Sequence, residues 1–244
     1  MTASAGTPLV LLHGWAMTPA VWTPLRGALK GIEIHAPALP GNGTTLAAWA
    51  DALAPTLPPR AHLVGWSLGA MLALELAALH PTRVSRLTLI AATPRFVAAP
   101  DWPHGLDAAT VAAFVAGYAN DPRATLRRFL ALQTLGDAAG RRLTPRLEAA
   151  SVPHADAPLP ALAAGLKILA DADLRPRLAA VTQPVRLIHG DGDALMPLAA
   201  ARWLADALPR AALTVLERCG HAPLLSRTAD CAAVLRTDAQ DVRP

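Results

Sequence analysis

The pentapeptide Gly65-Trp66-Ser67-Leu68-Gly69 sets a serine between two glycines. It follows the short apolar run 61–64 and precedes 70–79, a stretch rich in strong helix formers. Strand, sharp turn and helix in that order make a nucleophile elbow. The serine is forced into a strained backbone conformation, and the close approach of neighbouring chain admits only small residues on either side of it. A serine hydroxyl is a weak nucleophile at neutral pH. Chemistry at Ser67 therefore requires a base to take its proton, an acid to orient that base and donors for the oxyanion.

The base is His221, in Gly220-His221-Ala222-Pro223, where a tight turn after the apolar run 212–217 can present the imidazole. His35, His62, His80, His104, His154 and His189 lack that setting and read as structural or surface residues, and His13 as a brace for its own loop. Two aspartates compete for the acid in the loop 190–197, which follows the strand-like run 185–189. Asp193 fits a Gly-x-x-Asp pattern followed by an apolar residue and proline; Asp191 suits the shaping of the turn and stays as the alternative. The oxyanion donors are the backbone N–H groups of Leu68, directly after the nucleophile, and of Trp15, in His13-Gly14-Trp15 after the apolar run 9–12. Serine, acid and histidine in this chain order, with no metal or organic cofactor required, suit nucleophilic catalysis by the serine.

Those groups need a rigid frame. Short apolar runs near 9–12, 32–35, 61–64, 87–91, 185–189 and 212–217 alternate with helical stretches, the rhythm of a mostly parallel sheet. No strand rhythm interrupts 95–177, where 108–117, 122–135, 140–150 and 160–170 read as four helices. The expected architecture is α/β: an α/β-hydrolase core over 1–94 and 178–244, with an inserted four-helix cap over 95–177 that covers Ser67. The chain starts only a few residues before its first strand, so about six or seven strands are expected, and eight full strands would contradict the reading.

At 244 residues and 53% hydrophobic composition the chain can bury a substantial core. Its apolar runs fall short of the roughly 20 residues of a membrane helix, and the N-terminus lacks a basic leader, so a cytoplasmic protein without a membrane partner is expected. Cys219 and Cys231 show no metal-ligand spacing. The net charge of +4 rests almost wholly on arginine, since Lys30 and Lys167 are the only lysines. No run of five basic residues and no aromatic platform argues for nucleic acid; an acidic protein partner fits better.

The chain resembles the pimeloyl-acyl-carrier-protein methyl ester esterase family of biotin synthesis nearly end to end. The likeness is carried by Leu11-Leu12-His13-Gly14-Trp15, the elbow, Asp101-Trp102-Pro103, Arg128-Phe129-Leu130-Ala131-Leu132-Gln133-Thr134, Leu166-Lys167-Ile168-Leu169 and Gly220-His221-Ala222-Pro223. The first, second and last stretches are common to many hydrolases, whereas the cap stretches discriminate. The resemblance implies cleavage of the methyl ester of pimeloyl-acyl carrier protein to pimeloyl-acyl carrier protein and methanol. It implies an acyl channel contacted by Trp15, Ser67, Leu68, His221 and the run Phe129, Leu130, Ala131, Leu132 and Gln133. Without it, 129–132 would read as a core-facing stripe. Family members meet the acidic carrier with cap arginines, for which Arg123, Arg127, Arg128, Arg141, Arg142 and Arg146 are the candidates here. Ala124 stands where the family has an arginine, and another is displaced to Arg146; a merely solvated basic face is the competing explanation. A monomer is expected. A general short-chain carboxylesterase or lactonase remains the alternative enzyme, and a non-catalytic ligand receptor of the same fold the alternative class.

Overall fold

The computed structural model describes residues 7–153 and 157–240; His154 lies outside the described residues. Six strands form one parallel sheet in the order β2-β1-β3-β4-β5-β6: β1 (Leu9–Leu12), β2 (Ile34–His35), β3 (Ala61–Trp66), β4 (Val84–Ile90), β5 (Val185–Gly190) and β6 (Ala211–Leu216). The helices are α1 (Thr23–Ala28), α2 (Leu46–Leu53), α3 (Leu68–Leu79), α4 (Ala108–Asn120), α5 (Pro122–Thr134), α6 (Gly140–Ala150), α7 (Pro160–Asp171), α8 (Leu198–Ala207), α9 (Pro223–Ser226) and α10 (Thr228–Gln240). This is the α/β-hydrolase fold, at the lower of the two expected strand counts.

Every residue of β1 and β3 is buried because helices cover both faces of the sheet. Successive strand residues point to opposite faces. Leu63, Leu89 and Leu187 join the core with α2, α3 and α8, while Val64, Ile90 and Ile188 join a second core with α1, α9 and α10. Four strands differ in length from the expected runs: β3 and β5 run on to Trp66 and Gly190, and β2 and β4 begin at other residues. Ile32 is still turning, its N–H on Leu29 O at 3.4 Å, so pairing with β1 begins only at Ile34. In β4 the ladder with β3 starts at Val84, through the polar residues Ser85 and Arg86 that mask the strand in the sequence.

β1 lies between β2 and β3, so the chain's direction across the sheet reverses there. The connections after β1 and β3 consequently lead to helices on opposite faces of the sheet, which sets the site at the carboxyl ends of these two strands. The helices α4 to α7 all fall between β4 and β5. Asp107 and Asp121 cap α4 and α5 by accepting the N–H groups of Thr110 (2.8 Å) and Ala124 (2.9 Å). The two ends of this insertion are clamped side by side. Leu174 N–H donates to Pro94 O at 2.9 Å and Arg95 pairs with Asp173 at 3.1 Å. Arg175 bridges Asp173 and Asp101 at 2.6 and 2.9 Å with its guanidinium over the Trp102 ring.

Candidate active site

Ser67 joins β3 to α3 with φ 58° and ψ −121°, a conformation hostile to any residue with a Cβ. The surroundings enforce it. A Cβ on Gly65 would lie 2.4 Å from Gly69 O, and one on Gly69 would lie 2.1 Å from Leu12 O, so neither position tolerates a side chain. Ser67 N–H is also fastened to Ile90 O at the end of β4 (3.0 Å).

His221 and Asp193 arrive from the carboxyl ends of β6 and β5. Nε2 of His221 is 2.9 Å from Ser67 Oγ, and its Nδ1 is 2.8 Å from Asp193 Oδ2. An Nδ1–H that donates to the carboxylate leaves the Nε2 lone pair on the hydroxyl, so this imidazole can take the serine's proton. Asp193 Oδ1 accepts the N–H groups of Leu195 and Met196, both at 2.9 Å. Burial alone would push the Asp193 carboxyl upward, but the His221 charge and hydrogen bond, with His189 and the Met196 amide, outweigh it and hold the group below the usual carboxylate range. Asp191 instead accepts the Cys219 N–H at 3.3 Å, and its own N–H goes to Leu216 O, so it shapes the turn.

Leu68 opens α3, where a helix leaves its first N–H groups without intrahelical acceptors. The loop after β1 runs hard against the serine: a Cβ on Gly14 would lie 3.3 Å from Ser67 Cβ. His13 ties that loop down, its Nε2 accepting Leu39 N–H at 3.2 Å and its Nδ1 donating to Gly14 O at 2.9 Å. Burial lowers the His13 pKa and keeps the ring neutral, as an accepting nitrogen requires. The Trp15 indole donates to Leu162 O at 2.8 Å and meets Phe114, Tyr118 and Phe129 edge-on, joining the loop to α4, α5 and the start of α7. Covered in this way, Ser67 is only 4% exposed.

Gly165 of α7 makes that fit possible, since a Cβ there would stand 2.8 Å from Trp15 Cδ1. Gly165→Ala should force the indole away and lower kcat/KM about 10-fold, with a stability loss of about 1–2 kcal/mol from overpacking. Steady-state kinetics beside a thermal melt would check both halves.

An apolar cavity under α4, α5 and α7 is lined by Phe96, Phe114, Phe129, Leu132, Leu169 and Leu195 among others, with Arg128 on its wall. The expected acyl-contact run does not act as a block, because a helix turns successive residues about 100° apart. Phe129 and Leu132 face the cavity; Leu130 packs in the other core with Leu143 and Leu147, and Ala131 is exposed. Gln133 is wholly buried, and neither atom of its amide has a hydrogen-bond partner among the described residues. The candidate arginines are all exposed, but they diverge. Arg128 stands at the cavity, Arg141 and Arg142 border a groove with Thr134 and the exposed Leu135, and Arg146 donates to Leu225 O at 2.9 Å.

Two residues near the site carried no signal in the sequence reading. The Trp66 indole donates to His221 O at 2.7 Å while Gln133 O accepts His221 N–H at 3.3 Å, so the backbone of His221 is gripped from both sides. Trp66 occupies a variable position of the elbow motif, which names no role for it. His189 lies buried beside Asp193, with 3.5 Å between its Nε2 and Oδ2.

Residues 9–234 match the model of the alpha/beta hydrolase family. A pimeloyl-acyl-carrier-protein methyl ester esterase of Aromatoleum aromaticum is 52% identical over 93% of this chain and 96% of its own length. One of Nitrosomonas europaea is 42% identical over 92% of each. Among solved structures, an esterase of Exiguobacterium antarcticum superimposes with a TM-score of 0.84 at 21% identity, covering 98% of this chain and 93% of that one, a likeness of fold. The chain belongs to the alpha/beta hydrolase family and, within it, to the pimeloyl-acyl-carrier-protein methyl ester esterases.

Proposed function

We propose that this protein hydrolyses the methyl ester of pimeloyl-acyl carrier protein, releasing methanol and pimeloyl-acyl carrier protein. Ser67 attacks the ester carbonyl as His221 takes its proton, and Asp193 holds the imidazole in the productive tautomer. The Trp15 and Leu68 amides stabilise the oxyanion, a contribution of about 3 kcal/mol per donor in related enzymes. Methanol leaves with the proton from His221, and water then cleaves the acyl-enzyme by the same two groups. In this reading 95–177 is a cap over the core formed by 1–94 and 178–244, and no metal or organic cofactor takes part. The enzyme acts as a cytoplasmic monomer, away from nucleic acid and membrane; no helix among the described residues is long and apolar enough to cross a bilayer.

The observation that carries the substrate is on α5, where Phe129 and Leu132 supply an apolar wall and the adjacent Arg128 supplies a cation to the same cavity. A hydrophobic acyl chain delivered by an acidic protein needs that conjunction. The exposed groove of Leu135, Arg141 and Arg142, which begins at Ala131 and Thr134 of the same helix, offers a basic, partly apolar surface for the carrier itself. Demethylation of methyl pimeloyl-acyl carrier protein is the direct test. Arg141→Glu with Arg142→Glu should raise KM for that substrate at least about 10-fold while leaving a small p-nitrophenyl ester unaffected. Demethylation indifferent to charge reversal would put the carrier elsewhere. Absence of demethylation with normal p-nitrophenyl ester cleavage would leave a general short-chain esterase or lactonase, and absence of both would favour a receptor.

A further inference from the structure

His189 is the last side chain of β5 before its terminal glycine, it is wholly buried, and the mechanism above does not use it. Its Nε2 lies 2.7 Å from Met196 O and 3.5 Å from Asp193 Oδ2. A carbonyl oxygen only accepts, so Nε2 must carry the hydrogen, and Nδ1 is then a buried lone pair with no partner among the described residues. Leaving a buried acceptor unpaired weakens the fold, and an aliphatic or phenyl side chain would fill the site without that penalty. A histidine kept there in spite of it points to a use for the Nε2–H.

We propose that His189 is a positioning residue, whose Nε2–H fixes the loop that carries Asp193 and shares the negative charge of the carboxylate that faces His221. The contacts close a ring. His189 holds Met196 O, Met196 N–H holds Asp193 Oδ1, and the positive edge of His189 faces Asp193 Oδ2, the oxygen that also receives His221 Nδ1–H. The titratable groups that face His189 are Asp193 and His221. Burial pushes the His189 pKa down, against the opposing pull of Asp193, so the ring works as a neutral donor and adds no positive charge beside His221.

Without the His189 N–H, Asp193 is less compensated and holds a protonated His221 more tightly. A higher pH is then needed to free the base, so the acidic limb of the pH–rate profile moves upward. His189→Phe keeps the ring volume and removes the donor. On a p-nitrophenyl ester it should lower kcat about 10-fold, leave KM unchanged and raise the acidic limb. His189→Gln, whose amide reaches nearly the same point, should restore the profile and keep kcat within about 3-fold of the parent. Should His189→Phe fail to fold, His189→Asn, too short to reach Met196 O, replaces it with the same expectation.

The inference rests on Ser67, His221 and Asp193 being the reacting set, but not on the methyl ester substrate, because the small ester reports it whatever the natural acyl group is. Inactive Ser67→Ala with altered His189 variants supports both readings; inactive Ser67→Ala with an unmoved acidic limb in His189→Phe overturns this one alone. A change confined to KM, or a glutamine variant no better than phenylalanine, overturns it equally.

Discussion

Ser67→Ala is expected to lower kcat/KM by about 10⁶-fold on any ester, with no comparable loss of stability. The magnitude follows from the interdependence of the group. Without the hydroxyl, His221 and Asp193 have nothing to activate, and loss of the nucleophile in related serine hydrolases costs about as much as loss of the whole set. The fold is spared because the elbow is held by the close approach of Gly65 to Gly69 and of Gly69 to Leu12, none of which involves Oγ. Removing Oγ takes one hydrogen bond from His221 Nε2, a cost of about 1 kcal/mol. Ser67→Gly separates strain from chemistry. A non-glycine residue at φ 58° and ψ −121° stores about 1–3 kcal/mol, whereas glycine loses only about 0.5–1 kcal/mol of additional chain entropy on folding. The glycine variant should therefore be as inactive as the alanine variant, which lacks the same hydrogen bond but keeps the strain, and melt at a higher temperature than it. More than about 1% of parental kcat/KM in either variant would remove Ser67 from the nucleophile's role.

The elbow was legible because its chemistry and its geometry are both local. Glycines at 65 and 69 mark a turn whose crowding lies within four residues and the end of β1, and the apolar runs on either side announce the strand and the helix. The six strands and four inserted helices were legible for the same reason, with the weakest reading at β2, where two paired residues leave almost no pattern. What the sequence could not supply was phase and partnership at long range. It names 129–133 as one stretch, but the helix sends Leu130 toward Leu143 and Leu147 and leaves Ala131 outside. It counts six arginines on two helices, but not that Arg146 is engaged with Leu225 O. Trp66 and His189 have standard roles in no motif. Their importance lies in a carbonyl 155 positions away in one case and in a loop that folds back over the strand end in the other. The choice between Asp191 and Asp193 was open for a related reason: both follow the same strand, and only the path of the loop decides which carboxylate turns toward His221.

That choice yields the second large effect. Asp193→Asn should lower kcat about 10⁴-fold, the scale seen when the acid of a comparable serine–histidine pair is made neutral. The reason lies in the two ends of the carboxylate. Oδ1 accepts the N–H groups of Leu195 and Met196, so the asparagine oxygen must stay there; the reverse orientation would set an NH₂ against two donors. The NH₂ then faces His221 Nδ1, which can meet it only with a lone pair. The imidazole proton shifts to Nε2 and points at Ser67 Oγ, so the base arrives already protonated at the position where it must accept. KM should change little, because Asp193 is buried behind His221 and does not line the apolar cavity. Asp191→Asn provides the contrast within the same loop. Its carboxylate accepts a single N–H from Cys219, a bond that an asparagine oxygen makes equally well, so kcat should stay within about 3-fold of the parent. Burst and steady-state kinetics on one p-nitrophenyl ester measure both variants. Equal losses would mean that the loop's structure, rather than the charge facing His221, governs the rate, whereas a gap of several thousand-fold assigns the acid's role to the carboxylate that touches the imidazole.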